Sequence, residues 1–355
     1  MSQREKRLVV FLGAGASAFV GIPDSTKLAQ IVEQELRDHS NRIQQIRDRI
    51  QNFGLTYDIE ALLSVLSFWA NPRKAIDETG AFFAETTNYS SVNSFRKNSR
   101  DINIARSAKE TIVRECFVND RSRIYAIKRQ YEKFFKDLHD VLGLRDCDPA
   151  GNKPCPPIDV FTTNYDNVVE EYCIANGMIC CDGYKEPPGR RRGTCEFDQD
   201  EYSNSPTLLR IYKLHGTVTL ARLSNGELVN IPLYPGGELR ISGKPAFFDL
   251  IYPGTFLYAT REPQLELLNL LKQNLSSSDW CIIIGYSFRD PNVRQIFIDV
   301  LLRRKQTRRR FKVILIDPEA DKIIAKHRLG RLGMTDLKKK FEQLNVNNDI
   351  GGHFS

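Results

Sequence analysis

The sequence predicts an α/β protein: a Rossmann-like doubly wound parallel sheet carrying a mostly helical inserted module. Three observations point there. Short apolar runs rich in β-branched residues recur at residues 7–12, 158–161, 208–214, 280–284 and 313–316. Stretches patterned at helical spacing alternate with them, and strand–helix–strand alternation implies parallel pairing. Each run ends in a short polar or glycine-bearing loop, so in a parallel sheet these loops open at one edge, where open α/β sheets bind nucleotides.

The first strand is residues 7–12, Arg-Leu-Val-Val-Phe-Leu, stopped by Gly13. Residues 25–50 follow as helix, with Leu28, Ile31, Val32 and Leu36 on one face. Residues 58–70 form another, with Asp58 placed to cap it. Residues 75–145 are patterned as helix, with Ile112, Phe117, Tyr125, Ile127, Tyr131, Phe134, Phe135 and Leu138 on the apolar positions and a polar loop over 86–100. Pro, Gly and Asp between Cys147 and Pro157 mark the return to the sheet. Strands over 158–161 and 178–181 flank a helix from Asn164 to Ala175, and residues 185–205 are expected to be a surface loop. After the strand ending at His215, residues 217–235 read as a hairpin about Ser224-Asn225-Gly226. Helix 265–275, strand 280–284, helix 293–303 and strand 313–316 complete the sheet. This order divides the chain into a discontinuous nucleotide-binding domain (1–40 and 151–330), a helical insert (41–150) and a C-terminal tail (331–355).

The composition is that of an ordinary soluble globular chain: 355 residues, 41% hydrophobic and 27% charged. The apolar stretch 8–22 is interrupted by Gly13, Gly15 and Gly21 and stops at Pro23-Asp24, unlike a signal peptide. No apolar run reaches the roughly 18–20 residues of a membrane span, so a cytoplasmic location without membrane contact is expected. Eight cysteines without a Cys-x-x-Cys pair fit reduced thiols better than a disulfide framework or a zinc ribbon, and no metal is expected. The net charge of +7 owes much to Arg303-Arg304-Lys305, Arg308-Arg309-Arg310 and Lys338-Lys339-Lys340. A basic cluster suits nucleic acid or an acidic partner. Without interleaved aromatic residues, the tract fits a solvated turn between helix and strand better.

Four strand-end loops carry chemistry. Gly13-Ala14-Gly15-Ala16-Ser17 suits either a diphosphate cradle, with backbone N–H groups facing the anion, or a tight structural turn. Thr163, Asn164 and Asp166 suit either ribose, carboxamide or water binding, or helix capping. His215, at a strand terminus before Gly216, suits either a general base or a structural histidine; His39, His139 and His327 fall in charged helical stretches and His353 in the tail. Gly285 and Ser287 open a fourth loop, in which Asp290-Pro291 also reads as a helix start. Asp317, after the last strand, suits either an adenosine ribose or plain turn chemistry.

Together these loops resemble the sirtuin superfamily. Gly13-Ala14-Gly15-Ala16-Ser17 with Gly21-Ile22-Pro23-Asp24 is similar to its NAD-binding loop, Thr163-Asn164-Tyr165-Asp166 to its Gln-Asn-Ile-Asp motif, Leu214-His215-Gly216 to its histidine motif and Gly285-Tyr286-Ser287 to its Gly-Thr-Ser segment. The departures are specific. Protein-deacylating sirtuins carry two Cys-x-x-Cys pairs after the histidine, whereas here only Cys281 follows it. Their Phe-Gly-Glu peptide strand is missing, and their Asp-Phe-Arg is Asp24-Ser25-Thr26. What remains resembles the NAD-hydrolysing sirtuin-like effectors of bacterial antiphage defence.

That resemblance implies NAD+ as substrate and cleavage of its nicotinamide–ribose bond. It implies Gly13, Ala14, Gly15 and Ser17 on the diphosphate, with Asp24 and Thr163 in the same site. Asp166 would hold the carboxamide, Asn164 the ribose or the attacking water, and His215 the transferred proton. Gly285, Ser287 and Asp317 would face the adenosine half. It further implies restraint by assembly, as a homo-oligomer or with a HerA-like ATPase or other defence partner, and nucleic acid only indirectly. A non-catalytic NAD or ADP-ribose sensor and a lysine deacylase are the alternatives.

Overall fold

The computed structural model describes residues 7–52, 54, 56–70, 99–142, 157–188, 193–204, 207–223, 225–231, 240–241, 244–250 and 262–353. The expected loop at 86–100, the Pro/Gly-rich stretch at 147–157, and Cys147 and Cys155 fall wholly or largely outside them. The strands are β1 (Leu8–Leu12), β2 (Ile158–Thr162), β3 (Cys180–Cys181), β4 (Tyr184–Lys185), β5 (Thr194–Phe197), β6 (Leu209–Lys213), β7 (Gly216–Leu223), β8 (Leu228–Asn230), β9 (Arg240–Ile241), β10 (Lys244–Leu250), β11 (Trp280–Ile284), β12 (Lys312–Ile316) and β13 (Met334–Leu337). The helices are α1 (Ser25–Glu35), α2 (Ser40–Asn52), α3 (Ile59–Ala70), α4 (Ser99–Cys116), α5 (Arg121–Leu142), α6 (Val168–Ala175), α7 (Glu201–Asn204), α8 (Gln264–Ser277), α9 (Pro291–Gln306), α10 (Ala320–Lys326) and α11 (Val346–Asp349).

The chain forms two compact units, the first from residues 1–22, 118–214 and 266–355, the second from 23–117 and 215–265. In the first, seven strands lie in the order β13-β12-β11-β1-β2-β6-β3, and every neighbouring pair is parallel. The expected doubly wound parallel sheet is therefore present. β1 and β11 read as unbroken apolar runs because both faces are covered, and every residue of each is buried. Phe11 lies between Tyr286 (ring centroids 4.7 Å) and Phe297 (5.4 Å), while Phe161 stacks on Tyr212 at 4.1 Å. The chain runs from β1 to β2 on one side and reaches β11 on the other, so the order reverses at β1. Ligands bind open sheets in the crevice beyond the strand ends at such a reversal.

In the second unit, α1, α2, α3 and α4 bury Leu28, Val32, Ile43, Ile46, Ile50, Leu62, Leu66, Ile112 and Val113. Antiparallel strands in the order β8-β7-β10-β9 complete it. The expected hairpin is β7–β8, with Gly226 in the left-handed region (φ +88°).

The structure draws several boundaries differently. Residues 331–355 are not a tail throughout, since β13 pairs in register with β12. Residues 41–150 do not stay together: α4 groups with the second unit and α5 with the sheet. The α5 aromatic face explains this, because Tyr131, Phe134 and Phe135 pack against Phe341 and Tyr172. The helical patterning over 105–143 is divided between α4 and α5, and between them the Asn167 amide takes both the N–H (2.7 Å) and the carbonyl (2.9 Å) of Val118. Within 185–205, β4 and β5 pair antiparallel and α7 follows, so this stretch is not simply a surface loop. No helix among the described residues is long and apolar enough to cross a membrane.

Candidate functional site

The first loop at the point of reversal is closed by backbone packing. Gly13 N–H donates to Ile284 O (2.9 Å) and Gly15 N–H to Gly285 O (3.0 Å). Ala16 N–H donates to Gly13 O and Ser17 N–H to Ala14 O, forming a 3-10 turn. A Cβ on Gly13 would fall 2.4 Å from Gly285 O, and one on Gly15 would fall 2.7 Å from Gly285 Cα. The Gly-x-Gly spacing is thus accounted for by two strand-end loops meeting backbone to backbone. Gly285 itself needs φ +63°, and a Cβ there would lie 2.4 Å from Gly15 Cα.

The loop after β2 docks onto the first. Thr163 N–H donates to Leu12 O (3.2 Å) and Asn164 N–H to Thr162 Oγ1 (3.0 Å). The Asn164 amide donates to Gly13 O (2.9 Å) and to Ser17 Oγ (3.2 Å). Asp166 is buried, and its Oδ1 accepts from Val168 N–H (3.1 Å), the helix-start bond that sequence reading offered as its alternative. Burial raises the Asp166 carboxyl above its usual range, while the Lys213 charge and a hydrogen bond from Ser17 pull the other way.

Lys213, the last residue of β6, is itself buried. Its ammonium donates to Asp166 O and lies 3.2 Å from Glu170 Oε1. Asp182, just past β3, is pushed up to about 6 by burial, with the Glu170 charge adding to the shift and Tyr184 N–H opposing it. Sequence reading gave Lys213, Glu170 and Asp182 no role, because strand and helix patterning hides which polar side chains turn inward.

Gly285 N–H donates to Ile316 O (2.9 Å), and His327 Nε2 lies 3.2 Å from Ser287 O. Asp317 Oδ1 accepts from Glu319 N–H (2.8 Å) at the turn into α10, and burial raises its carboxyl. Asp290 caps α9 through Asn292 N–H (2.8 Å) and Val293 N–H (3.3 Å), with Pro291 at the first helical position.

One unit thus brings together Gly13, Ala14, Gly15, Ser17, Thr163, Asn164, Asp166, Gly285, Ser287 and Asp317. His215 and Asp24 belong to the other. Asp24 caps α1, accepting from Thr26 N–H and Lys27 N–H, both at 2.9 Å. His215 is the next residue after Leu214, whose N–H donates to Thr162 O (2.9 Å), so its Cα stands about 3.8 Å along the chain from that of Leu214. Its ring is 1% exposed, with Nδ1 3.6 Å from Glu60 Oε1 in the first turn of α3. Sequence reading missed Glu60, since a carboxylate in the first turn of a helix is already explained by the helix dipole.

Residues 159–335 match the family model of the SIR2-like domain. The match begins inside β2 and ends inside β13, so β1 and its glycine loop lie before it. Among solved structures, the chain is similar to a Sir2 homologue mutant in complex with ADP ribose, at 14% identity over 98% of this chain and 92% of that one, with a TM-score of 0.42. It is also similar to Sir2Tm bound to a propionylated peptide, at 12% identity over 98% and 94% of the two chains, with a TM-score of 0.39. No curated protein matches the sequence. Among the described residues, no cluster of three or more His, Cys, Asp and Glu side chains is suited to a metal ion.

Proposed function

We propose that this SIR2-like chain is an NAD glycohydrolase, cleaving NAD+ to nicotinamide and ADP-ribose. The observation that carries the reading is the Asn164 amide bound to both Gly13 O and Ser17 Oγ at the reversal point of the sheet. This bond fixes the second strand-end loop on the first, where a dinucleotide would lie. The family match supports NAD+ as the ligand.

In this reading Gly13, Ala14, Gly15, Ser17 and Thr163 line the diphosphate side with Asp24, and Gly285, Ser287 and Asp317 the adenosine side. Asn164 positions the ribose or the attacking water. Asp166, its carboxyl raised by burial, faces the carboxamide. Cleavage passes through an oxocarbenium-like centre, so positioning of the sugar contributes most. The C1′–N bond breaks with its electron pair going to the nicotinamide nitrogen. Water oxygen bonds to C1′, and its proton passes to His215. Without two Cys-x-x-Cys pairs after His215, an acyl-lysine acceptor is disfavoured and water takes its place. Unrestrained NAD+ hydrolysis is lethal, so we assign the chain to gated antiphage defence, restrained as a homo-oligomer or by a HerA-like ATPase or similar partner.

A second reading, a non-catalytic NAD or ADP-ribose sensor, draws on the loop itself: the N–H groups of Gly13, Gly15, Ala16 and Ser17 already have backbone acceptors. Nicotinamide release from NAD+, measured with and without the product of the neighbouring gene, separates the two. Turnover that falls at least about 100-fold in both His215→Ala and Asn164→Ala supports hydrolysis. Tight binding with no release under either condition supports the sensor. Release only with an acyl-lysine peptide would reinstate a deacylase.

A further inference from the structure

We propose that Lys213 is a positioning residue for the reaction, its ammonium holding the main chain of Asp166 so that Asp166 and Asn164 keep their places beside the nicotinamide ribose. The proposal rests on the reading of those two side chains as contacts of the nicotinamide half. It adds a residue that stands one place before the Leu214-His215-Gly216 motif and is no part of it. Ser17, the loop after β2, Glu170 and Lys213 all belong to the first unit.

The loop after β2 is tied at both ends. At its entry, Thr162 Oγ1 donates to Leu12 O (3.0 Å) and accepts from Asn164 N–H (3.0 Å). Thr162 stands opposite Lys213 in the parallel register of β2 and β6, and Leu214 N–H donates to Thr162 O (2.9 Å). At its exit, the Lys213 ammonium donates to Asp166 O and lies 3.2 Å from Glu170 Oε1 in the first turn of α6. One strand end therefore holds the loop both where it begins and where it becomes helix. Between the two ties, Ser17 joins the side chains that face the ligand. Its hydroxyl accepts from the Asn164 amide (3.2 Å) and donates to the Asp166 carboxyl. A shift of the Asp166 main chain thus reaches Asn164 through Ser17.

Packing alone does not call for a cation here. Lys213 is buried, and an ammonium out of water is costly unless it is paired and hydrogen-bonded. An apolar side chain fills space without that cost. What the ammonium supplies is direction, since it bonds a main-chain carbonyl and a side chain of α6 at once. Glu170 Oε2 is buried with no hydrogen-bond partner, which leaves the ammonium as the group that offsets the burial of this side chain. Misplacing a positioning group by about 1 Å costs a reaction about 100-fold in rate. A loop fixed at its exit by one charged tie is exposed to that loss.

The test uses full-length protein, with its activating partner where one is needed, as wild type, Lys213→Met, Lys213→Arg and the control Lys185→Met, which removes a partly exposed ion pair to Asp198. Circular dichroism checks that each is folded. Asp166-Asn167 is the one Asp-Asn step in the sequence. Aspartate labelled at the main-chain carbonyl carbon, with asparagine labelled at the amide nitrogen, therefore gives a single NMR correlation, from the peptide whose carbonyl takes the ammonium. The carbonyl carbon is expected to move upfield in Lys213→Met, to move less in Lys213→Arg and to stay in Lys185→Met. In nicotinamide release, kcat should fall at least about 30-fold in Lys213→Met with KM for NAD+ within about threefold of wild type. ADP, which carries the diphosphate without the nicotinamide ribose, should bind within about threefold of wild-type affinity by calorimetry. Lys213→Arg keeps the charge but displaces the donors, and should lose about 3–10-fold in kcat. A folded Lys213→Met with kcat within about threefold of wild type overturns the proposal, as does an unmoved correlation. A parallel loss of ADP affinity also overturns it, because the ammonium then supports the whole site and not the nicotinamide half. If Lys213→Met does not fold, an unchanged kcat in Lys213→Arg is the overturning result. If wild type releases no nicotinamide even with its partner, the functional reading fails, while the correlation still decides whether Lys213 fixes Asp166.

Discussion

The loops after β1 and after β2 meet each other but are held by opposite means. The first is fixed by what it lacks: Gly13 and Gly15 rest on Gly285 with no room for a Cβ. The second is fixed by buried polar groups, with the Asn164 amide on one side and the Lys213 ammonium, Asp166 and Glu170 on the other. The first arrangement is steric and insensitive to pH. The second is electrostatic, and its energy depends on which carboxyl groups hold protons. A site built this way has a rigid floor and a wall whose stability can be titrated.

The steric half breaks most completely at Gly285. Gly285→Ala puts a methyl group against the Gly15 backbone in a left-handed conformation, so unfolding in urea should show a loss of about 4 kcal/mol or more. Gly226→Ala is the matching control: its φ is +88°, but nothing lies within 4 Å of the added Cβ, and about 1 kcal/mol is expected. Equal costs for the two would mean that conformation, not the meeting of two backbones, sets the glycine requirement.

The electrostatic half breaks at Lys213. Lys213→Met leaves Glu170 and the Asp166 carbonyl without their buried cation, at a cost of about 3 kcal/mol by the same measurement. An unchanged midpoint would mean that the cation only offsets its own burial.

A third effect, smaller than those at Gly285 and Lys213, has the opposite sign and sharpens the contrast through pH. The Asp182 carboxyl is raised from 3.8 to about 6 in the folded state. The native protein therefore binds this proton more tightly than the unfolded chain, and stability declines as pH rises from about 4 to 6 and stays low above that. Asp182→Asn keeps an acceptor for Tyr184 N–H and removes the charge. It should stabilise the protein by about 2 kcal/mol at pH 8, with the difference vanishing near pH 4 in thermal melts at the two values.

What the sequence made legible follows the same division. Strands buried on both faces announce themselves as apolar runs, and loops that need glycine announce themselves by glycine, so β1, β2, β6, β11 and β12 and their loops were readable. β13 was not, because Met-Thr-Asp-Leu at a sheet edge is half polar. The break between α4 and α5 was hidden because the amide that imposes it, Asn167, lies far along the chain. His215 stood out by its place at a strand end, but Glu60 could not: a contact across the fold between a helix and a strand end leaves no spacing to read. The Gly-x-Gly pattern was visible while its reason was not, since the partner surface is Gly285.

β1 occupies the middle of the sheet, yet its register partners on one side lie 272 positions later, Leu8 opposite Trp280. During synthesis at roughly 5–20 residues per second, that flank of β1 waits on the order of 15–60 s after leaving the ribosome before its neighbour exists. For that interval the nascent chain presents an apolar strand with open hydrogen-bonding groups on at least one side, the kind of edge that invites association with other chains. Chaperone demand during translation, more than the stability of the finished molecule, is therefore where this topology exposes the cell producing it.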